Sequence, residues 1–443
     1  MDKLGKIREA GVVGAGGAGF PTHIKLNAKV DTLIANGAEC EPLLWKDKEL
    51  MRLYPEKIIS GMRHAMEITG AAKGWIALKK DKNREAIEKF KAVLKGSSSI
   101  EIYPLGDYYP SGDEVVLVNE ITGRLVPPGG LPLHAGTVVS NVETLLNISE
   151  AIDSGMPVTD KYLTVNGEVG APVTLKVPVG TSLNELIAAA GGLKIPRAYF
   201  LDGGIMMAKL LKDSSAIVKK TTSGFIAIPP DHYLAGKKGG PDRDVLAVGK
   251  SACDQCSYCT ELCPRYLLGH DCQPHRVMRS LGLGEKSAEI ESSYALLCVE
   301  CGLCGLYSCP ENLSPNIICG IAKRNLARKG PQPKAAQGEP IKRHPMQPYR
   351  KTPLDKLLDK LSIRKYNTHA DFSPKGMSPD RVVIPLSQHI GTPSLPAVKK
   401  GEAVQKGALI AAAPEGKMGS AIHASIGGKI ASADNDKIII EKQ

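Results

Sequence analysis

Cys253-Asp-Gln-Cys256-Ser-Tyr-Cys259-Thr-Glu-Leu-Cys263-Pro264 and, further on, Cys298-Val-Glu-Cys301-Gly-Leu-Cys304-Gly-Leu-Tyr-Ser-Cys309-Pro310 decide how the rest of this chain is read. Each stretch holds three cysteines at two-residue gaps and a fourth beside a proline. Three thiolates so spaced can wrap one face of an iron-sulfur cubane, while the trailing cysteine, turned away by its proline, reaches a second one. The spacing predicts two [4Fe-4S] clusters with exchanged fourth ligands. One takes Cys253, Cys256, Cys259 and Cys309; the other takes Cys298, Cys301, Cys304 and Cys263. A zinc ribbon is the competing reading, but tetrahedral zinc calls for two cysteine pairs rather than two triplets. Cys40, Cys272 and Cys319 stand outside the motifs and read as small buried structural thiols, Cys272 being the one nearest a proposed ligand. A pair of clusters relays single electrons and does no bond chemistry of its own. Another part of the chain must therefore accept or deliver the electrons.

The 443 residues suggest about three domains at roughly 150 residues each. An apolar fraction of 42% with 23% charged residues excludes disorder, and the glycines follow no collagen period. No apolar run approaches the ~18 residues of a membrane span. Met1-Asp-Lys-Leu-Gly-Lys6 has no apolar core of a secretory signal, so a cytoplasmic protein is expected. Eight of the eleven cysteines fall within the two motifs, which in such a protein argues for metal rather than disulfides. The net charge of +11 is local: from Ile321 to Arg381 there are fifteen Lys and Arg against five Asp and Glu. The remainder is nearly neutral, which argues against a nucleic-acid partner.

Near the start, Val12-Val-Gly14-Ala-Gly16-Gly17-Ala-Gly19 satisfies the G-x-G-x-x-G fingerprint of a dinucleotide-binding turn. Pro21 contradicts that reading, because it falls where the helix of such a fold should already be running. The loop can still lay backbone N–H groups against a phosphate or a flat ring. It is followed in order by Lys25, Asn36-Gly-Ala-Glu39-Cys-Glu41-Pro42, Tyr109-Pro-Ser-Gly112-Asp113-Glu114 and Val139-Ser-Asn141-Val-Glu143-Thr144-Leu145. These motifs resemble the flavin module shared by the NADH-oxidising subunit of respiratory complex I and the C subunit of Rnf complexes. The resemblance implies that the module binds FMN and takes a hydride from NADH. It implies that Gly14, Gly16, Gly17 and Gly19 line the flavin, with Lys25 near its phosphate and Asn36, Asn141 and Thr144 holding its two ends. Glu39, Glu41, Gly112, Asp113 and Glu114 would border the flavin and nicotinamide. The complex I pattern has arginine where this chain has Ala15 and an acidic residue where it has Ala38, so more of the FMN contacts carry over than of the NADH contacts.

Tyr162 to Gly192 reads as two alternating strands joined by an Asn-Gly turn, then a short helix capped by Thr181 or Ser182. It resembles the β-grasp domain that follows the flavin module in the same families. Gly330 to Pro379 reads largely as linker, with Leu354, Leu357, Leu358 and Leu361 on one helical face, expected to dock on the protein itself, with a partner surface as the competing reading. From Val382 onward, short β segments resemble the barrel-sandwich fold of biotinyl and lipoyl carriers. The glycines flanking Lys417 do not match the carrier hairpin, so that lysine reads as plain surface.

The fold expected is thus multidomain α/β: an FMN/NADH-binding α/β module (1–155), a β-grasp domain (156–235), a helical two-cluster, ferredoxin-like domain (236–329), a basic linker (330–380) and a barrel-sandwich hybrid (381–443). This order resembles the cobalamin reductases of propanediol-utilisation microcompartments. The resemblance implies an NADH-dependent flavin and iron-sulfur oxidoreductase that reduces cobalamin inside a bacterial microcompartment, with a shell protein or an adenosyltransferase as partner. No D-x-H-x-x-G corrinoid motif occurs, so the corrinoid is expected as a transient substrate. The competing readings are an Rnf-C-like NADH dehydrogenase serving another carrier, and a shell-associated electron-exchange component without turnover.

Overall fold

The computed structural model describes residues 1–330 and 341–442. The Val/Ile/Leu-rich strands β1 (Thr32–Gly37), β2 (Lys73–Lys79) and β3 (Ile100–Leu105) pair in parallel, and β5 (Thr137–Asn141) joins the other side of β1, giving the order β3-β2-β1-β5. Both faces of this sheet are covered, as an all-parallel sheet requires. Leu33, Ala35, Ile76 and Leu78 pack against helices Pro55–Thr69 and Val142–Asp153, while Ile34, Ala77 and Val139 pack against helix Glu114–Thr122. The strand order reverses between β1 and β5, and ligands of open α/β sheets bind outside the carboxyl ends of strands at such a point. Asn36 and Asn141 are register partners at those two ends.

The short β4 (Tyr108–Tyr109) leaves the sheet. Next come β6 (Asp160–Gly167), β7 (Val173–Pro178), β8 (Tyr199–Asp202), β9 (Lys209–Leu211) and β10 (Gly224–Ile228), in the order β7-β6-β10-β8-β9. Asn166-Gly167 is not the turn expected from sequence. The chain stays paired through Gly167 with Ala227 of β10, and the connection to β7 is made by residues 168–172. A Cβ on Gly167 would sit 2.0 Å from the Ala227 carbonyl oxygen, so this glycine serves a close approach of two backbones rather than a reverse turn. Helix Leu183–Ala189 begins in a capping box in which Ser182 Oγ accepts from Glu185 N at 3.3 Å and Glu185 Oε2 accepts from Ser182 N at 2.9 Å.

Short helices from Asp242 to Arg328 form the cysteine-bearing domain around Val277, Met278, Leu313 and Ile318. The basic stretch that follows is not a free tether from Ile341 onward; its first residues, 331–340, lie outside the described part of the chain. β11 (Thr352–Pro353) pairs with β4, and helix Leu354–Lys360 buries Leu357 and Leu358, with Leu361 behind it, against Leu43, Tyr109, Ile228 and Leu306. Several of its cations meet carboxylates of the bodies beneath: Arg350 with Glu261, Lys351 with Glu120 and Lys365 with Glu168. The local excess of positive charge thus belongs to a strap stitched across the domains.

The C-terminal barrel joins β12 (Arg381–Pro385), β13 (Leu395–Pro396), β14 (Ala403–Val404), β15 (Leu409–Ala412), β16 (Ile422–His423), β17 (Gly428–Ala433) and β18 (Lys437–Glu441) in sheets β12-β18-β17-β14 and β13-β15-β16. Lys417 is exposed. Among the described residues, no helix is long and apolar enough to cross a membrane. A buried lysine clips the barrel in place: Lys220 Nζ donates to Gly11 O and to Ala421 O, both at 2.7 Å, linking three domains. Burial with no carboxylate opposite lowers its pKa to about 7. An unfolded lysine holds its proton up to about 10.4, so stability should rise with pH from about 7 to about 10 and be flat below. Lys220→Met should abolish that rise, and should cost about 1–3 kcal/mol by stranding two carbonyls; thermal unfolding of both chains across this pH range measures it.

Candidate functional site

The glycine loop is a closed hairpin. Val13 bridges Pro21, Gly14 N donates to Phe20 O at 2.9 Å, and helix Thr22–Leu26 starts only after the proline. This is not the strand-to-helix turn of a dinucleotide fold, in keeping with Pro21. The loop lies beside the ends of β1 and β5. Ala15 N donates to Thr144 Oγ1 at 2.9 Å, and Gly16 abuts the Asn141 side chain, where an added Cβ would come within 3.3 Å. Gly17, at φ 117°, faces open space. Asn141 Oδ1 caps helix Val142–Asp153 by accepting from Glu143 N, and its Nδ2 donates to Asp47 Oδ2 at 2.8 Å. Asn36 Nδ2 donates to Gly112 O at 2.9 Å. Lys25 and Glu114 pair at 2.6 Å, both partly exposed.

The remaining acidic residues of the motifs hold the protein together rather than standing free along a cleft. Glu39, at a left-handed φ of 33°, accepts from Asp47 N at 2.9 Å and Lys48 N at 3.2 Å, capping helix Lys46–Leu53. Burial, with Asp47 nearby, pushes its carboxyl pKa up. Glu41, also raised by burial, accepts from Met206 N at 2.7 Å and Met207 N at 3.1 Å of the β-grasp domain. Asp113 caps helix Glu114–Thr122 and takes a two-pronged pair from Arg265, Nη1–Oδ1 at 2.6 Å and Nη2–Oδ2 at 2.8 Å. Burial alone would raise the Asp113 pKa, but Arg265 outweighs it and the carboxyl is held below its ordinary range. Acid should therefore open this latch only below about pH 4, where the pair's stabilisation is lost.

Of four buried charges beneath the loop, Lys46, Asp47 and Lys161 gave no signal in the sequence. Lys46 Nζ donates to Asp47 Oδ1 at 2.6 Å and Glu143 Oε2 at 3.0 Å; Lys161 Nζ donates to Glu143 and to Ala15 O at 3.0 Å. Lys161 lies in β6 where alternation with Tyr162 and Leu163 gives no cue, and burial lowers its pKa to about 8. Glu143 was visible only as a member of its motif.

The eight motif cysteines gather in two hollows. Cys253, Cys256, Cys259 and Cys309 line one; Cys263, Cys298, Cys301 and Cys304 line the other. Among the described residues, no three cysteine sulfurs lie within 4.8 Å of one another. Zinc–sulfur bonds of about 2.3 Å would bring all four sulfurs of a site closer than that, so these donor sets suit a larger, multi-iron cluster. Backbone and side-chain N–H groups already point at the sulfurs: Gln255 Nε2 to Cys253 at 3.2 Å, Leu313 N to Cys309 at 3.4 Å and Glu300 N to Cys298 at 3.3 Å. The Cys272 and then the Cys319 thiol hold the Cys298 thiol down to about 3. The second hollow adjoins the flavin motifs, since Arg265 lines it and Tyr109 O–H donates to Cys301 O at 2.7 Å. The first opens to solvent at the exposed Cys256.

The residues around the loop fit a flavin. Ser111 Oγ, beside Gly112, is buried without a protein partner, and the floor is made of glycine backbone. Comparison with known proteins agrees domain by domain. Residues 7–150 match the Nuo51 FMN-binding domain, 162–208 the SLBB domain, 252–314 a 4Fe-4S dicluster domain and 361–442 the RnfC barrel sandwich hybrid domain. An NAD+-reducing [NiFe]-hydrogenase, solved in its air-oxidized state, shares the fold at a TM-score of 0.50 and 20% identity, over 83% of this chain and 67% of that one. The C subunit of a proton-translocating ferredoxin:NAD(+) oxidoreductase complex from Clostridium ljungdahlii is 35% identical over 60% of this chain and 56% of its own length. The cobalamin reductase PduS of Citrobacter freundii is 40% identical, and that of Salmonella typhimurium 39%, each over 98% of this chain and 95% of its own length. An identity of that size, sustained from one end of both chains to the other, makes this protein a member of the cobalamin reductase PduS family.

Proposed function

We propose that the chain is an NADH-dependent flavin and iron-sulfur oxidoreductase that reduces cobalamin, from cob(III)alamin to cob(II)alamin and on toward cob(I)alamin. The observation that carries this reading is the near-complete alignment with the two curated cobalamin reductases. The geometry supports it, since the flavin motifs and the eight cysteines are tied by the Asp113–Arg265 pair. Gly14, Gly16, Gly17 and Gly19 would carry FMN, with Asn36 at one end of it and Asn141 with Thr144 at the other. Lys25, now paired with Glu114, would hold the FMN phosphate, and Gly112 and Glu114 would border the nicotinamide of NADH. The two hollows would hold [4Fe-4S] clusters on the exchanged cysteine sets. When bound, FMN accepts the hydride of NADH and the clusters take electrons singly. Asp113 and Arg265 keep the inner cysteine set against the flavin module, and the exposed Cys256 edge gives the outer set its contact with an acceptor. The domain limits read from sequence, 1–155, 156–235, 236–329, 330–380 and 381–443, fit this division of labour. A microcompartment that degrades propanediol is the proposed location, with a shell protein or an adenosyltransferase as partner, supported by the relatives' family alone.

The test is NADH oxidation by the anaerobic, FMN- and iron-loaded chain with cob(III)alamin or with ferredoxin as acceptor. Preference for the corrinoid is expected; turnover with ferredoxin alone would reassign the protein to another carrier. Lys25→Ala should weaken FMN binding roughly tenfold to a hundredfold, the worth of one charge-assisted hydrogen bond. Quenching of flavin fluorescence on titration measures it, and unchanged affinity would remove Lys25 from the phosphate.

A further inference from the structure

From Gly14 to Gly19 the glycine loop carries nothing larger than a methyl group, so its order must come from its two legs. Glycine gives up more conformational freedom on ordering than any other residue. The incoming leg is fixed from within the flavin module and from β6, by Ala15 N donating to Thr144 Oγ1 and Lys161 Nζ donating to Ala15 O. The outgoing leg is fixed from the far end of the chain. Ile390 N of the C-terminal barrel donates to Gly19 O at 3.0 Å. A Cβ on Gly19, at φ 69°, would come 2.8 Å from Thr221 Cγ2 and 3.2 Å from His389 Cα, so loop and barrel meet backbone to backbone. Between the two legs, Gly16, Gly17 and Ala18 lie exposed.

The barrel segment that reaches the loop is itself held on both sides. Gln388, 2% exposed, accepts from Lys220 N at 2.9 Å and donates to Pro385 O at 2.9 Å. Thr392 N donates to Met418 O at 2.8 Å, and a Cβ on Gly391 would sit 2.3 Å from that oxygen. The barrel behind the segment is seated on the β-grasp domain by Val383 N donating to Gly180 O at 3.0 Å and Ser425 Oγ donating to Val179 O at 2.5 Å. We propose that segment 388–390 of the C-terminal barrel is a positioning element of the flavin site, the Ile390 N–H holding the Gly19 end of the glycine loop in the conformation that receives FMN. This rests on the flavin reading above. A loop ordered before its ligand arrives binds it more tightly, because less freedom is lost on binding. By reciprocity, FMN on the loop must in turn steady the barrel segment.

The experiment titrates FMN into the full chain stripped of flavin, with thermal unfolding of each preparation to show that it is folded. Ile390→Pro removes the donor to Gly19 O and Ile390→Val keeps it; the Ile390 side chain is 45% exposed, so neither change empties a core. Ile390→Pro should weaken FMN binding roughly fivefold to tenfold, the worth of one neutral hydrogen bond, while Ile390→Val should match wild type. Lys406→Ala, which removes an ion pair between the barrel and Asp160 away from the loop, should match it too. Hydrogen–deuterium exchange of the wild-type chain needs no variant: peptides covering 386–392 should exchange more slowly once FMN is bound. It decides the matter alone should Ile390→Pro fail to fold. A folded Ile390→Pro chain with wild-type affinity, equal weakening by Ile390→Val or Lys406→Ala, or exchange at 386–392 that FMN leaves unchanged would overturn the proposal. A wild-type chain that takes up no FMN would instead overturn the flavin reading, which the wild-type titration reports separately.

Discussion

Glu143→Gln should destabilise the flavin module by about 3–5 kcal/mol and leave it unable to retain FMN. Glu143 is fully buried and takes both Lys46 and Lys161 on Oε2 while Oε1 accepts from Tyr162 N at 3.1 Å. Glutamine can keep the Tyr162 bond only by turning its amide N–H groups toward two ammonium groups. The loss reaches the cofactor through Lys161, which also donates to Ala15 O, while Ala15 N is held by Thr144 from the helix that Glu143 helps to begin. The glycine loop is thus fixed from beneath by a cluster of buried charges. Chemical denaturation and flavin content of the purified protein measure the two effects. Stability lowered with FMN retained would separate the charge cluster from the loop.

Arg265→Met should have a comparable effect at the boundary between the flavin module and the cysteine domain. It leaves the Asp113 carboxylate buried without its partner, a loss of about 3–5 kcal/mol for a buried pair broken on one side. Asp113→Asn keeps an N-cap acceptor but leaves Arg265 unpaired, with the same expected direction. The double variant should be less damaging than the two singles summed, because neither charge is then stranded. The functional consequence should exceed the thermodynamic one. NADH would still bleach the flavin, whereas reduction of the iron-sulfur centres and of cob(III)alamin would fall, since the latch sets the distance between the module and the inner cysteine set. Stopped-flow absorbance resolves the two phases. If flavin and cluster reduction slow equally, the latch acts on stability alone.

These two sites show where sequence stops being informative. The cysteine motifs were legible because cluster chemistry fixes residue type and spacing together, and the structure gathers the eight cysteines into the two sets that the spacing implied. Pro21 was legible as a bar to the dinucleotide fold because it removes a donor wherever it stands. Lys46, Asp47, Lys161 and Arg265 were not, since isolated charged residues ordinarily lie in water, and only tertiary packing made these buried partners. Asp113, Glu39 and Glu41 were legible as members of a site but not in the roles they play, because their carboxylates cap helices and join domains. The basic stretch misled for the same reason, because Lys351 and Lys365 find Glu120 and Glu168 far away in sequence.

The most direct measurement of electron flow from NADH to the corrinoid is the absorbance spectrum of the anaerobically purified, reconstituted chain before and after NADH, followed by cob(III)alamin. Flavin bands should bleach on NADH, the broad iron-sulfur absorbance should fall with them, and both should recover as the corrinoid is reduced. A protein that binds no flavin, or whose flavin bleaches without any change at the iron-sulfur centres or the corrinoid, would contradict that flow.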